Sequence, residues 1–144
     1  MATQDQNEAE IHRIIERWID ALRAKDLDRL MASYETDVVA FDAAAPLRYI
    51  GVDAYRKSWG DWFATLDGPI DFELRDLAIA AADHVAFAHG LCHTTAQHKN
   101  GPRGDVWMRW TAGWKKIGGV WLLVHEHVSA PFDAKTRAVL HATP

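Results

Sequence analysis

Residues 107–132 read WMRWTAGWKKIGGVWLLVHEHVSAPF, and their period is two. Met108, Trp110, Ala112 and Trp114, with Val106 just before them, fall on alternate positions, the spacing that puts side chains on one face of a strand. Gly118-Gly119 then breaks the pattern where a two-residue hairpin turn needs it. Alternation resumes over Val120–Ser129 and ends before Pro131. Carried along that second strand, it sets Trp121, Leu123, His125, His127 and Ser129 on a common face.

The same period extends backward. In residues 84–98, Val85, Phe87, His89, Leu91 and His93 share a face, and Asn100–Gly104 is a strong turn into the next strand. Ile70–Ala82 reads as a further strand, with Phe72, Leu74, Leu77 and Ile79 inward and a tight turn at Asp83. Before Gly68-Pro69 the period becomes helical. Val52, Tyr55, Trp59, Trp62, Phe63 and Leu66 follow the 3-4 rhythm after Gly51. Gly60 inside that helix costs about 1 kcal/mol relative to Ala, which points to close packing. Asp37–Asp42 is a short strand, Ala43–Pro46 a turn, and Leu47–Ile50 a brief partner strand. Asp26 caps a short helix whose inner face holds Leu27, Leu30, Met31 and Tyr34. Ile11, Ile14, Ile15, Trp18, Ile19 and Leu22 define a long amphipathic helix over 6–24, with Asp5 and Glu8 spaced as a capping box. Residues 133–141 are read as a loose terminal helix.

Helices first and strands last mean α+β rather than α/β. Strands this long twist and curl. The expected architecture is one domain over 1–144: a cone-shaped curved antiparallel sheet of about four to six strands wrapped around three helices from the N-terminal half. Helices over the concave side leave one small, largely apolar pocket.

Composition removes several classes. A chain that is 49% hydrophobic builds a core. A net charge of −4, without a Lys/Arg stripe, does not suit nucleic acid. No apolar run approaches the roughly 20 residues of a membrane span, and the polar, acidic start is not a secretory signal, so the expected location is the cytoplasm. The lone Cys92 excludes an internal disulfide and reads as a small strand residue. There is no GxGxxG and no phosphate-loop motif, and Ser33, Ser58 and Ser129 sit in no nucleophile elbow. Seven Trp in 144 residues suggest aromatic core layers or a ring-lined pocket.

Three stretches carry a family resemblance: RWIDALRAKDLDRLMASYETDVVAFD at 17–42, Gly51 opening the third helix, and the 107–132 hairpin. Over about Glu8 to Phe132 the chain resembles the nuclear-transport-factor-2-like (NTF2-like) superfamily, in its SnoaL-like and ketosteroid-isomerase-like branch. The resemblance implies a conical barrel, a homodimer through the outer sheet face, and a pocket at the wide end. It implies a range of functions: isomerases, cyclases, dehydratases and epoxide hydrolases, or binding and association domains without chemistry. It places a general-base carboxylate at Asp42. At the two positions where the isomerase holds a tyrosine and a protonated acid, it places Trp18 and Trp110, so steroid isomerisation by that mechanism is not expected.

The candidate catalytic residues are Asp42, His125 and His127. Asp42 is either a base whose pKa is raised by apolar walls or a strand-end residue capping the following turn. His125 and His127 either exchange protons in the pocket, one of them oriented by Asp42, or hold backbone carbonyls. His89 or His93 could add a metal ligand, but no Cys pair or His/Glu helix motif supports one; no metal and no cofactor are expected. Pocket-lining candidates are Trp18, Tyr34, Tyr55, Trp59, Phe63, His89, Trp110 and Leu123. His12, His84, His98 and His141 read as surface positions. Arg109 and Glu126 share a parity that suggests a structural pair on the convex face, where Trp107 would anchor a dimer. The expected ligand is small and apolar or aromatic. The expected activity is cofactor-independent isomerisation, cyclisation or dehydration by proton transfer; the alternative is a non-catalytic ligand-binding or association domain.

Overall fold

The computed structural model describes residues 1–140. Its elements are α1 (Gln4–Arg23), α2 (Leu27–Met31), β1 (Tyr34–Phe41), β2 (Tyr49–Ile50), α3 (Val52–Ala64), β3 (Leu66–Ala81), β4 (Val85–His98), β5 (Arg103–Ile117) and β6 (Val120–Ser129). The strands form one six-stranded sheet in the order β2-β1-β6-β5-β4-β3.

Two features correct the expected cone. The sheet is open, with β2 and β3 as unpaired edges, so it does not wrap around the helices or close into a barrel. It is also mixed: β1 runs parallel to β6, while every other neighbouring pair is antiparallel. The parallel pairing follows from connectivity, since α3 and three long strands lie between β1 and β6 and return the chain from the far edge.

α1 begins two residues earlier than expected. Its cap is Thr3, whose side chain accepts from Gln6 N while the Gln6 side chain accepts from Thr3 N; Asp5 and Glu8 do not form the box. Ile11, Ile14, Ile15, Trp18 and Leu22 pack on the sheet, each fully buried aliphatic contributing about 1.5–3 kcal/mol. Asn7 fixes the far end of this helix, donating to Ala82 O and accepting from Lys116 Nζ and Trp121 Nε1. Asp26 caps α2 through Arg29 N. Gly51, at φ 89°, caps α3, and Gly60 faces a Leu27 methyl at the distance a Cβ would fill.

Irregularities in the strands matter more for the site than their lengths. β3 begins before Gly68-Pro69, and its pairing with β4 shifts between Asp67 and Asp71 and again between Arg75 and Ala78. The second shift contains Asp76 at φ 55° and moves the inward set from Phe72 and Leu74 to Leu77, Ile79 and Ala81. Gly90 lies opposite that shift, where a Cβ would come within 3.1 Å of Arg75 O. β6 bulges too: Trp114 pairs with Leu123 but Gly113 pairs with His125, so Val124 is an extra residue. Residues 133–140 form a turn closed by a Phe132–Val139 bridge instead of a helix; His141 lies outside the described residues. Among the described residues no helix is long and apolar enough to cross a membrane.

Candidate functional site

The inner face of β4 is built from Ala86, Ala88, Gly90, Cys92, Thr94 and Ala96, all buried. These side chains are too small to fill the space between sheet and helices. The result is a cavity of about 400 Å³. Trp18 and Leu22 from α1, Trp59 and Trp62 from α3, and Met108 and Trp110 from β5 form much of its wall. Phe72, Cys92, Thr94 and Val128 add to it from the sheet, and Ala43–Ala45, which follow β1, border it. The wall is mainly apolar, as small-molecule pockets are.

Asp42 belongs to this wall. It follows β1 directly, and its carboxylate accepts one hydrogen bond, from Ala43 N at 2.7 Å. Burial raises its pKa above the usual carboxylate value, and the Ala43 bond only partly offsets that. A carboxylate so placed is a better proton acceptor than one in water, and one hydrogen bond leaves most of its lone pairs uncommitted.

Behind the wall lies a second, fully buried carboxylate. Glu126 accepts from Tyr55 Oη at 2.7 Å, Tyr34 Oη at 3.0 Å and Trp110 Nε1 at 3.0 Å. Tyr34 Oη in turn accepts from Trp18 Nε1 at 3.0 Å. Burial raises the Glu126 pKa while the three donors oppose the rise, and burial beside this carboxylate holds both phenols well above their usual value. The network ties α1, β1, α3, β5 and β6 together through polar groups in an otherwise apolar interior. It also decides where the indole N–H groups of two cavity walls are used: both donate into the core.

The family model for the SnoaL-like domain matches residues 11–133. The chain belongs to the SnoaL-like domain family. An NTF2-like protein of unknown function from Pseudomonas putida is 37% identical, superposes with a TM-score of 0.89 and is covered over 99% of both chains. Two more distant structures share the fold. A candidate dehydratase of the NTF2-like family from Streptomyces avermitilis is 16% identical at TM-score 0.79, covering 88% of this chain and 97% of that one. A ketosteroid isomerase-like protein from Erwinia carotovora is 18% identical at TM-score 0.74, covering 87% and 96%. No curated protein matches the chain.

Within this SnoaL-like domain, the residues named from sequence separate into three groups. Asp42, Trp18, Trp59 and Trp110 line the cavity. Tyr34, Tyr55, Phe63 and Leu123 lie in the core beside it: the tyrosines on Glu126, Phe63 against Trp59 and Trp62, and Leu123 beside Trp110 and Trp114 at a small void. His89, His125 and His127 lie on the other side of the sheet. His89 stacks on exposed Phe87. His125 Nδ1 donates to Val39 O at 2.6 Å, and both His125 and His127 lie edge-on to Phe41. The carboxylate–histidine dyad with Asp42 is therefore corrected. The extra residue Val124 reverses the parity of β6, turning Glu126 and Val128 inward and both histidines outward. The Arg109–Glu126 pair falls for the same reason: Arg109 is exposed opposite Ser129. His98, read as a surface residue, lines the cavity.

On the outer face Trp107 stacks on the His93 ring at 4.4 Å, and Arg75 lies 4.6 Å from the Trp107 ring centroid. His93 is held between Asp105 and Glu73. Among the described residues no group of three or more His, Cys, Asp or Glu side chains is arranged to hold a metal ion.

Proposed function

We propose that this chain binds a small apolar or aromatic molecule in the cavity and that Asp42 moves a proton there, without a cofactor, in an isomerisation, cyclisation or dehydration. The observation that carries this reading is a carboxylate of raised pKa, with one backbone donor, in the wall of an apolar cavity. Asp42 takes a proton from a carbon or hydroxyl of the bound molecule and returns it elsewhere on that molecule, or to a leaving hydroxyl. Trp18, Trp59 and Trp110 hold the molecule and exclude water. The fold neighbours described as a candidate dehydratase and as ketosteroid isomerase-like belong to the same range of chemistry.

The test is deuterium incorporation. Small cyclic ketones and hydroxylated aromatics are incubated with the protein in deuterated water and followed by NMR. Wild type is expected to exchange or eliminate from at least one of them, and Asp42→Asn to lower that rate by about 10²–10⁴-fold. An unchanged rate in Asp42→Asn removes Asp42 as the base.

The alternative is a non-catalytic binding domain using the same cavity. It is favoured by the direction of the Trp18 and Trp110 N–H groups, which donate to Tyr34 and Glu126 and leave no indole pair to stabilise a developing oxyanion. The outer face, with Phe41, Phe87 and Trp107, is the surface proposed to pair two copies. Light scattering after size exclusion is expected to give twice the chain mass, and a single chain mass would discard the dimer.

A further inference from the structure

Among the described residues the cavity wall carries one carboxyl side chain, that of Asp42, and no Lys or Arg. Around it stand Trp18, Trp59, Trp62, Trp110 and Phe72. Adjoining rings meet at steep angles: 80° between Trp18 and Trp59, 73° between Trp18 and Phe72, 67° between Trp59 and Trp62. They form the sides of a box instead of a flat stack.

Four donors of the wall are already engaged within the protein. Trp18 and Trp110 donate to Tyr34 and Glu126, Cys92 Sγ donates to Met108 O, and Ser58 donates to Tyr49. Trp59 Nε1 has no acceptor but is shut off from the open volume. Glu126 places a second carboxylate behind Trp110. A negative group entering this space meets the Asp42 carboxyl group and no Lys or Arg among the described residues. A positive group meets electron-rich rings and a counter-ion, in surroundings where water screens little.

We propose that the cavity takes an organic cation, a small aryl or alkyl amine in its ammonium form, seated among the indole rings with its nitrogen toward Asp42. The proposal rests on the cavity being the ligand site, as above, and names the class of molecule that fills it. It is compatible with proton transfer, because a positive nitrogen beside a carbon acidifies the neighbouring C–H.

Three probes of similar size separate the possibilities: benzyltrimethylammonium, its neutral isostere neopentylbenzene, and phenylacetate. Binding is followed at pH 8 by tryptophan fluorescence and by the indole N–H signals in nitrogen-15 NMR. The cation is expected to bind about tenfold more tightly than the neutral isostere, with phenylacetate weakest. In Asp42→Asn the cation is expected to fall to within about threefold of the neutral probe. Unchanged affinity for the neutral probe reports that the variant's cavity is intact. A neutral probe that binds as tightly as the cation overturns the charge preference and leaves the cavity reading standing. A preference that survives in Asp42→Asn overturns the pairing with Asp42. Binding by none of the three overturns both the inference and the reading of the cavity as the ligand site.

Discussion

Asp42 and Glu126 are both carboxylates removed from water, and burial raises the pKa of each, yet they stand in opposite relations to their surroundings. Glu126 is completely enclosed and has three side-chain donors from three elements. Asp42 is half-buried, has a single donor from the next residue, and belongs to a cavity wall. Burial alone does not separate a working acid from a structural one. The number of donors already committed does: a carboxylate saturated by fixed partners organises the core, and one left short of partners beside empty space is available to a ligand.

The contrast is broken most forcefully by Glu126→Ala. That change strands Tyr34, Tyr55 and Trp110 as buried donors, each costing about 1–3 kcal/mol when unsatisfied. Even with partial relaxation the expected loss is about 3–5 kcal/mol in urea unfolding, a large share of the stability of an ordinary domain. Glu126→Gln keeps an acceptor oxygen and is expected to lose less. A loss under about 1 kcal/mol in Glu126→Ala would show that the network does not organise the core. Tyr55→Phe is the finer cut. It removes the shortest of the three bonds, 2.7 Å, for an expected 1–3 kcal/mol, roughly the worth of a hydrogen bond to a charged group. Paired with Tyr34→Phe in a double-mutant cycle, it should show a coupling above about 0.5 kcal/mol, because both phenols share one acceptor. Strict additivity would mean that the two act independently.

The contrast also explains what the sequence made legible. Element order and hydrophobic period gave the helices, the long strands and their hairpins, because these depend on local spacing. Asp42 could be placed because it directly follows the last residues of β1, Val39 to Phe41, which pair in unbroken register. Glu126, His125 and His127 were all placed on the wrong faces through one residue. Period-two reading assumes an unbroken ladder, and the extra residue Val124 reverses every side chain after it. No propensity marks Val124 as a bulge. A signal was present nonetheless: a Glu between two His, in a strand otherwise apolar, faces inward as soon as one residue is inserted before it. β4 misled differently. Its larger side chains, Val85, Phe87 and Leu91, point outward, and its small ones, Ala86, Ala88 and Gly90, face the core. Hydrophobicity followed size there, while burial followed the room the cavity and helices require. The open sheet was out of reach because closure depends on pairing between edges that pattern does not encode.

The smallest expected effect is the one that isolates Asp42. Its pKa in the folded chain lies above that of an unfolded aspartate, so between the two values the native state holds a proton that the unfolded state has released. Stability from this residue is therefore fully present below the unfolded value, near 4, and is lost as pH rises through the folded value. Asp42→Asn has no such proton to lose. Melting temperatures of wild type and variant, measured side by side from pH 3 to pH 8, should diverge in the variant's favour as pH rises and then run parallel. Asp133, held low by the Thr136 and Lys135 backbone amides, titrates in both proteins and drops out of the difference, while Glu126 loses in the variant the least of its causes of shift, the Asp42 charge. Divergence of the opposite sign would mean that the folded chain stabilises the Asp42 carboxylate. Asp42 would then resemble Glu126 in having its lone pairs engaged by the protein, and the cavity would lose its proton acceptor.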